Sequence, residues 1–228
     1  MAMKAKHRFA TDEEGMAWAW NMEELKNLSN KRVYYVANNQ RAEELEDLWV
    51  KDPENQKTAS FGRNWGYYVG MDEIRRYYVD GCKAGGKGYG NAHPLSTWSI
   101  HIAKDGKTAR GVWYTVGTET KGLCDDKAYW LGERVNMDFI LEEDGWKIWH
   151  LFIGTDYFCE AGTPYMDVPV DLEPGQDPQQ NEFGEPTIKM LAFNPRYNWY
   201  PYPELPVEYD TFTDDISCGP EGNPEYKK

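Results

Sequence analysis

Basic residues are scarce in this sequence. Its 228 residues include 25 lysines and arginines against 38 aspartates and glutamates, so the formal charge is -13 at pH 7. A protein that neutralises the phosphates of a nucleic acid needs clusters of lysine and arginine, and the sequence has no such cluster. We therefore expect no nucleic-acid partner.

Long apolar runs are also missing. No segment approaches the roughly 18 consecutive apolar residues that a membrane-spanning helix requires. The first ten residues, MAMKAKHRFA, lack the apolar run of a secretory signal. These patterns predict a cytoplasmic protein without a membrane partner.

Cysteines are few and widely spaced. Cys82, Cys124, Cys159 and Cys218 form no CxxC pair, so neither a zinc ribbon nor a disulfide framework is indicated. The glycine-rich segment CKAGGKGYGN, which begins at Cys82, matches no phosphate-binding loop. We expect no metal site and no cofactor.

Aromatic residues, by contrast, are abundant. Ten tryptophans, 16 tyrosines and 8 phenylalanines make up 15% of the chain, more than a core of this size usually needs. Such a surplus favours either a flat-walled apolar cavity or a large subunit interface.

Two adjacent segments carry the alternation of a β-hairpin. In GERVNMDFILEEDGWKIWHLFIG, which begins at Gly132, residues alternate with a period of two on both sides of a turn at Glu142–Gly145. This period is typical of strands, and a turn that ends in glycine is typical of a hairpin. The preceding segments NAHPLSTWSIHIA and GKTARGVWYTVG predict two more strands, joined at Lys104–Lys107. We therefore predict four antiparallel strands.

Helical patterns precede these strands. Thr11 and Glu14 have capping-box spacing and predict a helix from Asp12 to about Gln40, either continuous or broken near Asn21. The segments RAEELEDLWVKD and MDEIRRYYVDG predict two more helices, and TASFGRNWGYYVG between them reads as strand or loop. Helices gathered before a sheet indicate an α+β fold, in which helices close one face of a curved antiparallel sheet and leave a pocket inside a cone.

A family resemblance rests on the order of six segments: ELKNL, YYVANNQRAEELEDLWVKD, MDEIRRYY, AHPLSTWSI, GKTARGVWY and DGWKIWHLFIGTDYF. From Met22 to Phe158 this order resembles the SnoaL-like family of the nuclear transport factor 2-like superfamily. Its members include scytalone dehydratase, bile-acid 7-alpha-dehydratase, polyketide cyclases, ketosteroid isomerase and the small subunits of ring-hydroxylating dioxygenases. The resemblance implies the cone-shaped α+β fold.

The resemblance also divides the chain. It implies a cone domain over residues 1–158, followed by an aromatic and proline-rich extension over residues 159–228. We expect this extension to wrap the cone or a neighbouring subunit, or to cap the pocket as a lid, and its tail from Asp214 to be disordered. The family further implies a homo-oligomer, with a trimer favoured over a dimer.

The resemblance places His93 where the hydro-lyases of the family carry a catalytic histidine. An imidazole titrates near neutral pH and can act as acid or base. At the end of the first helix, where bile-acid-type dehydratases carry a tyrosine and an aspartate, this chain has Val33 and Asn38. We expect Tyr34 or Tyr35, beside that position, to donate a hydroxyl hydrogen bond and Asn38 to orient the substrate.

Three aromatic residues are candidates for the cavity wall. Trp65, Tyr68 and Trp113 come from segments that converge on the cone in this family. Flat indole and phenol rings would suit an aromatic or polycyclic substrate.

Asp138 and His150 are two further candidates whose orientation depends on strand parity. His150 alternates with Trp146 and Ile148, an apolar set that predicts an inward side chain. Asp138 points outward if its apolar neighbours fill the core, and lines the cavity otherwise. Each of the two residues is predicted to contact substrate if its side chain points into the cone.

The resemblance, together with these residues, implies a cofactor-independent lyase that acts on a small aromatic or polycyclic substrate by acid/base chemistry in the cone. The reaction is either dehydration or, because the family's carboxylate is missing, a retro-aldol carbon-carbon cleavage. Two alternatives stay open: a non-catalytic ligand-binding or assembly subunit, as in the dioxygenases, and an isomerase or cyclase of the same fold.

Overall fold

The computed structural model describes residues 9–82, 84–122, 127–164, 184–189 and 204–223. The helices in these ranges are α1 (Asp12–Ala37), α2 (Arg41–Leu48), α3 (Pro53–Thr58) and α4 (Met71–Arg75), and a π-helical turn (Arg76–Asp80) extends α4. The strands are β1 (Ser60–Arg63), β2 (Gly66–Val69), β3 (Tyr89–Ala92), β4 (Ser96–Ile102), β5 (Thr108–Lys121), β6 (Ala128–Glu142), β7 (Gly145–Glu160) and β8 (Ile188–Lys189). No described helix is both long and apolar enough to cross a membrane.

α1 is a single unbroken helix with the predicted capping box. The Thr11 hydroxyl accepts a hydrogen bond from the backbone of Glu14 at 3.1 Å, and the Glu14 carboxylate accepts one from the backbone of Thr11 at 3.3 Å. This reciprocal pair satisfies donors that a helix start leaves unpaired. The buried side of α1 includes Met22, Leu25 and Leu28, which pack into the main core.

α3 is a helix that the sequence patterns do not predict. Asp52 and Pro53 read as the end of the second helix, yet α2 already stops at Leu48. The Asp52 carboxylate accepts a hydrogen bond from the backbone of Glu54 at 2.8 Å, and Pro53 occupies the first helical position. A proline there loses nothing, because that N–H has no helical partner anyway.

The described strands form one mixed sheet, in the order β3-β5-β6-β7-β1-β2-β8, with β4 also paired to β5. The antiparallel pairings β4–β5, β5–β6 and β6–β7 confirm the four predicted strands. β1 adds to β7 in parallel, so that Ser60 pairs with His150. The helices pack on the inner face of this curved sheet, which confirms the α+β class.

A β-bulge changes the parity of β7. Phe139 pairs with Ile148 and Asp138 pairs with His150, so Trp149 is an extra residue on β7. Ile148 therefore faces the main core, whereas His150 turns to the outer face of the sheet. His150 does not point inward as the simple alternation predicts, and Asp138 lies on the outer face with it.

Residues 204–223 pack on that outer face. The backbone N–H groups of Lys104 and Asp105 donate to the carbonyl oxygens of Tyr209 and Asp210, each at 3.1 Å. Where the sequence predicts a disordered tail, residues 214–223 contain two short 3-10 helices. The aromatic stretch before residue 204, together with Cys124, lies outside the described residues.

Candidate active site

A cavity of about 250 Å³ lies between the inner face of the sheet and the helices. This volume is slightly below the roughly 300 Å³ of the smaller ligand sites in proteins. The cavity therefore suits a small ligand of one or two rings. Its apolar lining is supplied by Val33, Val36, Phe61, Tyr77, Leu131, Val135 and Ile153.

His93 lies in this cavity between two carboxylates. Its Nε2 is 3.4 Å from Oε2 of Glu119, and its Nδ1 is 3.8 Å from Oε2 of Glu133. The three side chains are only 20%, 14% and 6% exposed, respectively. Both distances exceed an ordinary hydrogen bond, and Nε2 has no hydrogen-bond partner among the described residues. The ring is thus flanked by negative charge yet able to bond to a third group.

Gly117 on β5 makes room for His93, which lies in the loop between β3 and β4. A methyl group at Gly117 would lie 2.4 Å from the carbonyl oxygen of Ala92 and 2.9 Å from Cδ2 of His93. Contacts this short force the backbone or the imidazole to move. Glu119 follows two residues later on the same face of β5, which places its carboxylate beside the ring.

Glu133 is held in place by a second layer of polar contacts. The Thr155 hydroxyl donates to Oε1 of Glu133 at 3.0 Å, and Nη1 of Arg63 lies 3.5 Å from the same oxygen. Thr155 is fixed in turn, because its backbone N–H and C=O both bond to the Asn64 amide at 2.8 Å. A carboxylate supported in this way keeps its orientation towards the imidazole.

Further polar atoms in the cavity lack partners. Oδ1 of Asn91 and Oγ1 of Thr115 are buried and make no hydrogen bond among the described residues, as is the case for Nε2 of His93. Buried polar groups are nearly always paired in folded proteins. Three such atoms around one cavity indicate a place where a polar ligand completes the bonding.

Asp156 is a carboxyl group of the cavity wall with a shifted proton affinity. Burial raises its pKa, and nearby Glu133 adds to this effect, while Arg134 at 3.0 Å opposes it without cancelling it. A raised pKa brings a carboxyl group closer to acid/base work near neutral pH.

The helical wall of the cavity is built around a buried glutamate. Glu44 is fully buried and accepts a hydrogen bond from the Tyr78 hydroxyl at 2.7 Å, with Nε of Arg32 at 3.2 Å. Burial raises the pKa of Tyr78 above its usual value, so the hydroxyl stays protonated as a donor. Arg32 and Tyr78 line the cavity and are fixed by this network.

Comparison with known families agrees with this architecture. Residues 19–151 match the SnoaL-like domain. The chain belongs to the SnoaL-like domain family. The match covers the helices and most of the sheet that enclose the cavity, and it confirms the resemblance that the sequence segments predict.

Solved structures share the fold of this SnoaL-like domain at low sequence identity. A nuclear transport factor 2-like protein from Salmonella enterica is 16% identical, with a TM-score of 0.51 over 64% of this chain and 99% of its own. A hexachlorocyclohexane dehydrochlorinase from Novosphingobium barchaimii is 12% identical, with a TM-score of 0.50 over 70% and 100%. A presumed scytalone dehydratase from Novosphingobium aromaticivorans is 11% identical, with a TM-score of 0.51 over 68% and 95%. No curated protein matches the sequence significantly.

Among the predicted site residues of this SnoaL-like domain, His93 and Trp65 line the cavity. Tyr68 and Trp113 lie behind its wall and belong to the core. The Tyr68 hydroxyl accepts a hydrogen bond from Nε1 of Trp65 at 3.0 Å, and Trp113 packs edge-on against Phe139. Two of the three predicted aromatic residues therefore pack in the core that supports the cavity, and one of them, Trp65, lines it.

The residues predicted at the end of α1 point away from the cavity. Tyr34 is 71% exposed, and the Tyr35 hydroxyl donates to the Asp47 carboxylate at 3.0 Å, which raises the pKa of Tyr35. Asn38 is exposed and caps the helix end through its backbone. Arg32, Val33 and Val36 form the stripe of α1 that lines the cavity, and at about 100° per residue Tyr34 and Tyr35 fall on the other side of the helix.

Asp138 and His150 form a buried cluster on the opposite face of the sheet. Oδ2 of Asp138 accepts hydrogen bonds from the Ser217 hydroxyl at 2.9 Å and the Cys218 backbone at 2.8 Å, and lies 3.0 Å from Nδ1 of His150. Burial alone would raise the pKa of Asp138, but His150, Arg110 and the Cys218 N–H outweigh it and lower that pKa. The pair anchors the C-terminal segment and does not line the cavity.

No group of three or more histidine, cysteine, aspartate or glutamate residues in the described ranges could hold a metal ion.

Glu119, Glu133 and Asp156 are the acidic cavity residues that the sequence patterns do not predict.

Replacement of Gly117 by alanine tests the geometry around His93. Because a Cβ at Gly117 meets Ala92 and the imidazole, we expect His93 to be displaced. The rate of proton exchange from a bound ring ketone, measured by NMR, should fall about 100-fold, the size of effect that a shift of about 1 Å in an active site can have. Gly15→Ala, on α1 and outside the cavity lining, is the matched control. An unchanged exchange rate in Gly117→Ala would show that proton transfer does not depend on the position of His93.

Proposed function

We propose that the protein is a lyase that acts by acid/base chemistry on a small ring compound, without a cofactor. The observation that carries this proposal is the imidazole of His93 between the carboxylates of Glu119 and Glu133 inside a ring-sized cavity. The dehydrochlorinase and the presumed dehydratase of the same fold support it, because both named reactions remove a proton together with a leaving group.

In the proposed dehydration, Nε2 of His93 removes a proton from a carbon next to a carbonyl or phenol. The electrons of that C–H bond form a C=C bond as the neighbouring C–O bond breaks. The imidazolium, stabilised by Glu119 and Glu133, returns the proton to the departing hydroxide, and water leaves. In a retro-aldol cleavage, the same nitrogen instead removes the proton of a hydroxyl group, and the O–H electrons form a C=O bond as the neighbouring C–C bond breaks. The departing carbon leaves as an enolate or phenol-stabilised carbanion and takes the proton back from the imidazolium.

The polar atoms around His93 have roles in this scheme. The Thr115 hydroxyl and the Asn91 side chain bind oxygen or hydroxyl groups of the substrate, since both have bonding capacity to spare. Asp156, whose pKa is raised, is a second proton donor for the leaving group. Tyr34, Tyr35 and Asn38 take no part, because their side chains do not reach the cavity. The homo-oligomer that the family implies stays a prediction.

Proton transfer can be measured before the substrate is known. We expect the protein to accelerate hydrogen–deuterium exchange at the acidic C–H positions of 2-tetralone, a bicyclic ketone that tests the ring-sized cavity, in deuterated buffer followed by proton NMR. A positioned general base contributes about 100- to 10,000-fold, which is well above the buffer rate. If ligand-observed NMR shows that 2-tetralone binds while exchange stays at the buffer rate, the protein is a binding module and the proposal fails.

A further inference from the structure

Two cations line the cavity without a carboxylate partner among the described residues. The other cavity arginines are paired: Arg32 lies 3.2 Å from Glu44, and Arg63 lies 3.5 Å from Glu133. Arg41, in contrast, bonds only to neutral groups among the described residues. Its guanidinium donates to the side-chain oxygen of Asn39 and, at 3.2 Å, to the hydroxyl of Tyr89.

Lys121 is the second cation of this kind. Its ammonium lies over the rings of Tyr129 and Phe158, 5.0 and 5.2 Å from their centroids, and makes no ion pair with any described residue. Contact with an aromatic face stabilises an ammonium group without neutralising it.

The two cations are at the same end of the cavity. Lys121, the last residue of β5, is the register partner of Tyr89 on β3, and the Tyr89 hydroxyl accepts the hydrogen bond from Arg41. Arg41 arrives from the start of α2 on the helical side. Both side chains line the cavity, the guanidinium from the helical side and the ammonium from the sheet, where it lies over rings of β6 and β7.

Unpaired positive charge is unexpected in a chain with a net charge of -13. Placing a cation in a partly buried site without a counter-charge costs free energy, and an anion supplied by a ligand would offset this cost. Glu119 is the acidic residue nearest along β5, and it already faces the imidazole of His93. The planar, forked guanidinium of arginine matches a carboxylate with two parallel hydrogen bonds.

We propose that Arg41 and Lys121 bind a carboxylate, and that the ligand of this cavity is therefore a ring acid. Four residues of β5, about 13 Å, separate Lys121 from Gly117 beneath His93. This distance leaves room for the ring between the bound carboxylate and the imidazole. The placement of the ring at His93 rests on the proposed lyase function, whereas the anion site does not.

The test compares a ring acid with its uncharged analogue. At pH 7 and low salt, 2-naphthoate is ionised and 2-naphthamide is neutral, and their affinities can be measured by isothermal titration calorimetry. We expect the wild-type protein to bind the acid at least about tenfold more tightly than the amide, as for hydrogen bonds to charged groups. Arg41→Gln and Lys121→Gln should each reduce this preference several-fold, and added salt should weaken it.

Matched surface variants control for the loss of charge. Arg75→Gln and Lys57→Gln remove the same charges from solvent-exposed ion pairs outside the cavity, and we expect them to keep the wild-type preference. Equal affinity of the wild-type protein for acid and amide overturns the proposal. So does an unchanged preference in both cavity variants. If Arg41→Gln does not fold, the wild-type comparison and Lys121→Gln still decide.

The outcome is separable from that of the lyase proposal. Exchange of 2-tetralone without a preference for the acid would overturn the anion site and keep the lyase. A preference for the acid that depends on Arg41, without proton exchange, would keep the anion site and overturn the lyase.

Discussion

Replacement of His93 by glutamine should lower proton exchange from bound 2-tetralone about 100- to 10,000-fold, the usual contribution of a general base. Glutamine keeps the approximate length and polarity of the side chain but cannot accept a proton at neutral pH. The same NMR assay that tests the wild-type protein measures the loss.

Two controls make this result specific to His93. His101→Gln changes a histidine of β4 that does not line the cavity, and it should exchange 2-tetralone at the wild-type rate. Ligand-observed NMR should show that His93→Gln still binds 2-tetralone, since the apolar lining is intact. Exchange that persists in His93→Gln would assign proton transfer to another group and would contradict the proposed mechanism.

Replacement of Asp138 by alanine should destabilise the folded chain by about 3–5 kcal/mol, as for other broken buried charge clusters. The change leaves the Ser217 hydroxyl, the Cys218 N–H and the charge of Arg110 without their acceptor. We expect urea unfolding at a lower midpoint, with residues 204–223 the first to become sensitive to protease. Asp210→Ala, which removes an exposed carboxylate of the same segment, should have an effect below about 1 kcal/mol.

The pH dependence gives a second measurement on Asp138. Because the folded pKa of this carboxyl group is lowered, its stabilising effect is complete above the unfolded pKa of about 3.9 and is lost as the pH falls through the folded value. The unfolding free energy of the wild-type protein should therefore fall more steeply below about pH 4 than that of Asp138→Asn. Parallel curves, or an unchanged urea midpoint in Asp138→Ala, would show that the cluster does not anchor the segment.

The regular part of the fold could be predicted from local patterns. The capping box fixes the start of α1, and alternation with glycine turns fixes the hairpins. The bulge at Trp149 could not be predicted, because both faces of β7 are apolar there. Residues 204–223 cover the outer face, so Phe152 is as buried as Ile148 although the two face opposite sides. A strand covered on both faces gives little information on register.

The site was only partly predictable. Family resemblance predicts the position of His93 correctly, whereas the prediction for Tyr34 and Tyr35 is wrong, because one helical position changes the direction of a side chain by about 100°. The missing carboxylates do not follow from the sequence pattern. On β5 the apolar Tyr114 and Val116 are exposed while Thr115 between them is buried, so the apolar alternation predicts the wrong inner face and leaves Glu119 outside. Charged residues on strands are usually solvent-exposed, and this expectation does not predict that Glu119 and Glu133 line the cavity.

The parallel pairing of β1 with β7 has a consequence for the synthesis of the chain. Ser60 and its partner His150 are separated by about 90 residues, and among the described strands only β7 pairs with this edge of β1. At about 5–20 residues per second, a ribosome needs several seconds to make that interval. Throughout this time β1, which carries Phe61 and Arg63 into the cavity, has the short β2 hairpin and the rings of Tyr77 and Tyr78 against it, but no long strand beside it. The enclosure around the imidazole is therefore completed late, after the last long strand has emerged.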